Sequence, residues 1–488
     1  MEAPPYNAVE EREYLARGWW RDDDTLWHWL RMHAAQRPDA AALIARGATL
    51  SWRELERRVL CVAQGLRAKG IGARDVVALQ LPNTPEFLVL HLALARLGAV
   101  MCTVHMPYRG AEIEAILAHS GAKLFLAAAY PFAELEAAGP LADDFPAPDA
   151  RDAFLLLYTS GTTASPKAVP HPYRTLLGNS RMGAREHRLH ERSRILCAAP
   201  LSHLYGLYSL HCAWSVGACT VLLPAFKPDE LAAAVEKHKP TAIWTAPAHM
   251  AACRNAGLFE RHDWSSLELA IVSGSTPPPA LMRFLAERLP GCAIAQLWGM
   301  TELQAGLYTR PGDPIEVAAT SAGRPSPGTE LRIADDGELQ VRGPLAFSGY
   351  YNNEAATAAA FTPDGWFRTG DLAVERNGNY AITGRSKDVI NRGGVKFNPA
   401  DVEALLEAHP AIAQSAIVPM PDPVLGEKAC AFVTLRPGAA EPSLAQLCEY
   451  LLGKEIAKNK LPERLVVIAE MPLTPTRKII KSRLRVPQ

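Results

Sequence analysis

Phe154-Leu155-Leu156-Leu157-Tyr158-Thr159-Ser160-Gly161-Thr162-Thr163-Ala164-Ser165-Pro166-Lys167 runs from four apolar residues into a hydroxyl-rich glycine loop that ends on a lysine. The apolar run predicts a buried strand of an α/β sheet, and the loop after it predicts a phosphate grip. Hydroxyls at 159, 160, 162 and 163, with the backbone N–H groups of a tight turn at Gly161, can surround phosphate oxygens while Lys167 adds a mobile positive charge. No glycine precedes Lys167 and Ala168 follows it, so this is not the Gly-x-x-x-x-Gly-Lys-Ser/Thr phosphate loop. Taken alone, the same composition fits a polar strand-to-helix turn, and its meaning rests on what lies downstream.

Around that loop, from about residue 25 to 300, apolar strands alternate with amphipathic helices, the pattern of layered, largely parallel sheets. Ser51 caps a helix with Glu54 at the capping-box position, and Leu55, Val59, Val62, Ala63 and Leu66 recur on one face. Asp75 to Leu81 reads as a strand, and 131–151, rich in Ala, Pro and Asp, as a surface connection. After 320 the texture changes to hairpins around Asp335-Asp336-Gly337 and Asn377-Gly378. The last hundred residues form an α+β unit, with caps at Asn398 and Ser443 and strands at 415–418, 429–435 and 465–468. The expected organisation is a multidomain α/β chain. A large N-terminal domain spans 1–384 and includes a small β-barrel-like subdomain at about 320–384; a small mobile C-terminal domain spans 385–488.

At 488 residues the chain is long enough for such an arrangement, and its 51 basic residues balance 51 acidic ones. No global field draws it to nucleic acid or an anionic membrane, which leaves a small-molecule substrate as the expected partner. The nine cysteines lie scattered between Cys61 and Cys448 without metal-ligand spacing. They read as reduced thiols of a cytoplasmic protein, with neither zinc nor disulfides expected. No apolar signal segment opens the sequence. Phe87 to Val104, interrupted by His91 and Arg96, reads as a buried helix running into a strand and not as a membrane span.

In chain order the sequence offers the phosphate loop, Pro200-Leu201-Ser202-His203-Leu204-Tyr205-Gly206-Leu207, Trp298-Gly299-Met300-Thr301-Glu302, Gly365-Trp366-Phe367-Arg368-Thr369-Gly370-Asp371, Gly384-Arg385-Ser386-Lys387-Asp388 and Pro472-Leu473-Thr474-Pro475-Thr476-Arg477-Lys478-Ile479. This ordered set, spanning essentially the whole chain, resembles the adenylate-forming superfamily, in particular its acyl-CoA synthetase and aryl-acid AMP ligase branch. Singly, Glu302 reads as a solvated acid, Trp298 as a core aromatic, His203 as a satisfied core histidine and the basic run from Arg477 to Arg485 as a charged tail. The set as a whole gives them roles.

The resemblance implies ATP, Mg²⁺ and CoA as cofactors and a two-step reaction: a carboxylate attacks the α-phosphate of ATP, then a thiol displaces AMP. It implies that Thr159, Ser160, Gly161, Thr162, Thr163 and Lys167 hold phosphates, Glu302 binds the metal and Thr301 donates to the α-phosphate. Trp298 would be the adenine platform, Asp371 the ribose acceptor, Arg385 its neighbour on ribose or phosphate, and Lys478 the residue that carries adenylation. Lys387 matches the hinge, and Gly393, Gly394 and Lys396 match the face that meets CoA. His203, Tyr205, Ser273, Gly274 and Ser275 would wall the acid pocket. Ala164, Ala168 and Arg477 stand where the family usually has glycine. The expected reaction is formation of an acyl-CoA from an aromatic, alicyclic or medium-chain acid by a monomer or homodimer. Loading of a carrier protein, and a catalytically silent nucleotide-binding relative, are the alternatives.

Overall fold

The computed structural model describes residues 8–45, 47–142, 144–159, 167–474 and 478–486. By internal packing the chain divides into two compact units, Met1–Glu330 with Val341–Phe367, and Leu331–Gln340 with Arg368–Gln488. The hairpin region expected to close the large domain at 384 therefore packs mostly with the C-terminal residues.

The first unit holds two sheets. In the smaller, the strands lie in the order Leu124–Ala127, Val76–Gln80, Val100–Thr103, Ala153–Tyr158, Ala168–Pro172. The first four run parallel and the last returns antiparallel beside Ala153–Tyr158. The larger is nine-stranded, and its strands from Ala293–Met300 through Leu269–Ser273, Ala242–Thr245, Arg194–Cys197 and Cys219–Leu222 to Ala41–Ala45 are parallel. Parallel strands are covered on both faces, so their sequences are apolar from end to end. All five residues of Leu269–Ser273 are buried accordingly.

Helices Pro85–Arg96 and Leu204–Ser215 contribute to the core that joins the two sheets. Every residue of the first from Phe87 onward is buried, as the reading of 87–104 anticipates. Its Arg96 donates from its two terminal nitrogens to the carbonyls of Pro146 and Phe145, at 2.9 and 2.8 Å. Helix Trp52–Ala68 carries the expected capping box, and Leu55, Val59, Val62 and Leu66 are fully buried, each contributing about 2 kcal/mol of transfer free energy. The connection 131–151 differs from its reading as a surface segment: it includes helix Phe132–Glu136 and buries Leu135 and Leu141. Gly65 allows this approach, since a Cβ there would lie 2.4 Å from the carbonyl oxygen of Leu135.

Most residues of the strands Glu330–Ile333, Glu338–Arg342, Phe367–Arg376 and Asn379–Arg385, which follow one another in a four-stranded sheet, belong to the second unit. Asn377 and Gly378 both have positive φ, +54° and +77°, as a two-residue hairpin turn requires. The remaining strands, Ile390–Arg392, Val395–Phe397, Ile412–Asp422, Gly426–Leu435 and Arg464–Val467, form a five-stranded sheet. Val402 and Leu406 of helix Pro399–Glu407 and Leu447 and Leu451 of helix Leu444–Gly453 pack with it in one core, and both expected caps, Asn398 and Ser443, accept backbone N–H groups. No helix among the described residues is long and apolar enough to cross a membrane.

Candidate active site

Ligands of parallel α/β sheets bind outside the carboxyl ends of the strands, and the first unit's candidate residues emerge there. Thr159 follows Ala153–Tyr158, Ser202 and His203 follow Arg194–Cys197, Ser273 ends Leu269–Ser273, and Trp298 to Glu302 end or follow Ala293–Met300. Thr103, the last residue of Val100–Thr103, donates its hydroxyl to the Ser202 carbonyl at 2.7 Å and so ties one sheet's strand ends to the other's.

The loop after Tyr158 is closed at its base by Thr159 N–H donating to the Lys167 carbonyl at 2.9 Å. Ser160, Gly161, Thr162 and Thr163, assigned to the phosphate grip, lie outside the described residues, as do Ala164 and Arg477. Ala168 sits in a strand opposite Tyr158 and is not among the residues with positive φ, so that departure from glycine imposes no backbone strain.

Thr301 and Glu302 occupy the turn between strands Ala293–Met300 and Gln304–Tyr308. The turn ends on Gln304, a non-glycine residue at φ +61°, a conformation that persists only where surroundings fix it. Asn179 does so by donating to the Ala305 carbonyl at 3.1 Å and accepting from its N–H at 3.2 Å, while Gln304 donates to Ser180 Oγ at 3.0 Å. Glu302 Oε1 accepts the Tyr350 hydroxyl at 2.8 Å, and the Glu302 carbonyl accepts the Phe347 N–H at 2.9 Å. Lys167 Nζ lies 5.0 Å from the centre of the Tyr350 ring. Burial, and then the Glu302 carboxylate, push the Tyr350 phenol well above its ordinary pKa, so it stays a donor. Trp298 packs against Gly306: a Cβ there would come within 2.9 Å of the indole.

Around the expected acid pocket, His203 caps helix Leu204–Ser215, its Nδ1 accepting the Tyr205 N–H at 3.2 Å. Tyr205 is buried, and its hydroxyl donates to the carbonyls of Thr245 and Ile271 at 3.0 and 3.1 Å, so its phenol tip belongs to the sheet. Ser273 donates to the Leu297 carbonyl; Gly274 is half-buried at φ +94° and Ser275 is exposed. His105, which sequence reasoning passed over, stacks at 6.1 Å from His203 and pairs with Ser202 Oγ at 2.9 Å, and burial lowers its pKa to about 4.

The second unit gathers a separate cluster. Asp371 and Arg385 face each other across paired strands, Oδ1 to Nε 3.0 Å, and Asp371 is buried. Lys478 is partly buried, its N–H donating to Thr474 Oγ1 at 2.9 Å. Burial chiefly, and then Arg385, push its ammonium down to about 8, while Asp371 opposes them. Lys387 is exposed in the short turn Ser386–Asp388. Gly393 and Gly394, at φ +61° and +86°, form the exposed turn between strands Ile390–Arg392 and Val395–Phe397, beside exposed Lys396.

Two family models match the chain: AMP-binding enzyme over residues 30–351 and AMP-binding enzyme C-terminal domain over 401–478. The chain belongs to the AMP-binding enzyme family. As an AMP-binding enzyme it is an adenylate-forming ligase. It is 32% identical to 2,3-dihydroxybenzoate-AMP ligase of Bacillus subtilis (strain 168), covering 97% of this chain and 95% of the relative. It is 29% identical to medium-chain fatty-acid–CoA ligase of Escherichia coli (strain K12), covering 98% and 93%. Among solved structures, an anthranilate CoA ligase in complex with anthranoyl-AMP superposes with a TM-score of 0.87 at 25% identity, over 95% of this chain and 96% of that one.

Among the described residues of this AMP-binding enzyme no group of three or more His, Cys, Asp or Glu side chains could hold a metal ion by itself. One carboxylate in the turn after a strand end fits Mg²⁺, which takes one or two protein carboxylates and fills its shell with phosphate oxygens and water. Tyr350 and Asn179 were not legible as part of this site. Tyr350 lies 48 residues beyond Glu302, in a run that reads as core aromatics, and Asn179 sits inside an amphipathic helix.

Proposed function

We propose that this AMP-binding enzyme is an acid–thiol ligase that joins a compact, mostly apolar carboxylic acid to CoA through an acyl-adenylate. The acid's carboxylate oxygen bonds to the α-phosphorus of ATP as the bond to the bridging oxygen breaks and pyrophosphate leaves. The CoA sulfur then bonds to the acyl carbon, AMP departs, and the thiol proton passes to water. Such transfers ask a protein to hold reactants in line and neutralise developing charge. In this reading Thr159, Lys167 and the loop between them hold the β- and γ-phosphates, Thr301 donates to the α-phosphate and Trp298 stacks on adenine. Asp371 accepts from the ribose hydroxyls, with Arg385 beside it. Glu302 holds Mg²⁺, which when bound offsets phosphate charge. Lys478, on the small C-terminal domain, stabilises the charge that develops at the α-phosphate. Lys387 serves as the hinge for residues 385–488, which would then part from residues 368–384 of the same packing unit, and Gly393, Gly394 and Lys396 form the face for the pantetheine arm.

The observation that carries the choice of acid is the chemistry of the residues proposed to wall the acid pocket. His203, Tyr205, Ser273 and Trp298 bear no carboxylate or permanent cation, and the Tyr205 and Ser273 hydroxyls are engaged by backbone carbonyls. A second carboxylate or an alkylammonium buried there would go unpaired at a cost of several kcal/mol, on the order of the penalty for an isolated buried charge. Benzoate-like, cyclohexanecarboxylate-like and medium-chain acids should therefore outperform dicarboxylates and α-amino acids. The acids in three relatives' names, dihydroxybenzoate, medium-chain fatty acid and anthranilate, favour this class, while o-succinylbenzoate, the dicarboxylic acid of a solved synthetase of Bacillus subtilis at 26% identity, runs against it.

One observation favours a second reading, loading of a carrier protein. Val395 and Val424 are 53% and 86% exposed near the Gly393-Gly394 turn, whose Gly393 N–H donates to the Leu425 carbonyl, and exposed apolar side chains of this kind suit a protein partner. The test is AMP release with each acid, run with CoA and separately with a phosphopantetheinylated carrier protein. Turnover with CoA supports the proposal, turnover with the carrier alone selects the second reading, and none with either points to the silent relative.

A further inference from the structure

We propose that Tyr350 is a positioning residue that couples the metal-binding carboxylate to the phosphate-binding lysine, so that one side chain sets the geometry of both. The inference rests on the reading that Glu302 holds Mg²⁺ and Lys167 holds phosphate. Tyr350 is 7% exposed, and its two functional surfaces point to those two residues: the hydroxyl donates to Glu302 Oε1 at 2.8 Å, and the ring face meets Lys167 Nζ at 5.0 Å. The first is a hydrogen bond to a charged acceptor, and the second lies within the range of a cation–π contact.

The backbone repeats the coupling. Phe347 N–H donates to the Glu302 carbonyl at 2.9 Å, and Tyr351 N–H donates to the carbonyl of Ala168, the residue after Lys167, at 2.8 Å. Residues 347–351 thus bridge the acidic turn and the base of the phosphate loop. Tyr350 is held by its own N–H, which donates to Thr357 Oγ1 at 2.9 Å, and by the edge of Phe347 at 4.8 Å. The Tyr350 hydroxyl takes the carboxylate of the turn and not a backbone carbonyl, unlike that of buried Tyr205.

Phenylalanine at 350 keeps the ring and loses the hydroxyl, and leucine loses both, so the two contacts separate. The experiment is calorimetric titration of ATP into the full chain without acid, over a series of Mg²⁺ concentrations, and of pyrophosphate without Mg²⁺, for wild type, Tyr350→Phe, Tyr350→Leu, Glu302→Gln and the double variant Tyr350→Phe/Glu302→Gln, with the melting temperature of each. Tyr350→Phe should raise the Mg²⁺ concentration for half-maximal ATP binding about tenfold, the scale of one hydrogen bond to a charged group, with pyrophosphate affinity unchanged. Tyr350→Leu should in addition weaken metal-free pyrophosphate binding about threefold, the scale of a partly exposed cation–π contact. Adding Tyr350→Phe to Glu302→Gln should produce no further shift. A Mg²⁺ dependence unchanged in Tyr350→Phe while Glu302→Gln shifts it overturns the coupling alone. No shift in Glu302→Gln overturns the reading of Glu302 and the proposal with it.

Discussion

Lys478, the proposed adenylation residue, carries a positive charge that burial opposes. Its pKa is pushed down to about 8, chiefly by burial, so the ammonium is lost as the pH rises through that value. If Lys478 stabilises charge at the α-phosphate, acyl-adenylate formation should fall on the alkaline side of pH 8. Lys478→Arg should move that limb out of the measurable range, because guanidinium stays charged. Lys478→Ala should lower adenylation by two or more orders of magnitude, roughly the effect of deleting one preorganised donor to a developing charge, and leave thiol transfer from supplied acyl-adenylate largely intact. Rapid-quench measurement of each half-reaction checks both points, and equal loss of the two steps at unchanged melting temperature would remove the assignment. At this scale the sequence named three residues, Asp371, Arg385 and Lys478, that the structure brings together within one unit although 107 residues separate the first from the last. What escaped were residues whose chemistry appears only in space. Tyr350 looks like core until its hydroxyl is seen on Glu302, and His105 gives no sign of its place beside His203.

The turn Thr301 to Leu303 depends on how closely its two strands approach. A Cβ on Gly299 would lie 1.6 Å from the Gln304 carbonyl oxygen, a backbone atom that cannot swing aside. Gly299→Ala should therefore displace the turn, lower stability by about 2 kcal/mol and weaken ATP binding more than tenfold, as melting and ATP titration would report. The elements also carry a pH response. His91 of helix Pro85–Arg96, His171 of strand Ala168–Pro172 and His187 at the end of helix Tyr173–Glu186 are held by burial at about 3, and His211, in contact with His91 at 2.9 Å, is also well below its ordinary value. The unfolded chain takes up these protons near pH 6.5 and the folded one does not, so stability is full above pH 7 and drains away as pH falls from 6.5 toward 3. At pH 5 each of these histidines should cost on the order of 2 kcal/mol, visible as a steep fall in melting temperature between pH 7 and 5. Helices with caps and a buried stripe, such as Trp52–Ala68, could be read directly from the sequence. The helix at 132–136 could not, because a single pair at i, i+3, Phe132 and Leu135, within five residues is too short to set a period. The order of the parallel strands was equally hidden, since fully buried strands share one composition.

For the whole molecule, the account assigns two half-reactions to one chain whose small domain presents a different face in each, turning about Lys387. The exposed turn Ser386–Asp388 suits a pivot, and Lys387→Pro, which fixes φ near −65° and removes an N–H, should slow thiol transfer far more than adenylation. Stopped-flow measurement of the two steps would decide it, and a wild-type rate of transfer would put the pivot elsewhere. The division into a large and a small part was legible as a change in texture after residue 320. Its packing boundary was not, because the hairpins of residues 331–340 and 368–385 associate by long-range contacts with the C-terminal residues. The central claim, that this chain activates an apolar carboxylic acid as its adenylate, is tested most directly by exchange of labelled pyrophosphate into ATP, run with benzoate-like, cyclohexanecarboxylate-like and medium-chain acids beside dicarboxylates and α-amino acids. The account predicts acid-dependent exchange with at least one of the first three classes, little with the last two, and none in Lys478→Ala; exchange with no acid, or a strong preference for an amino acid, would contradict it.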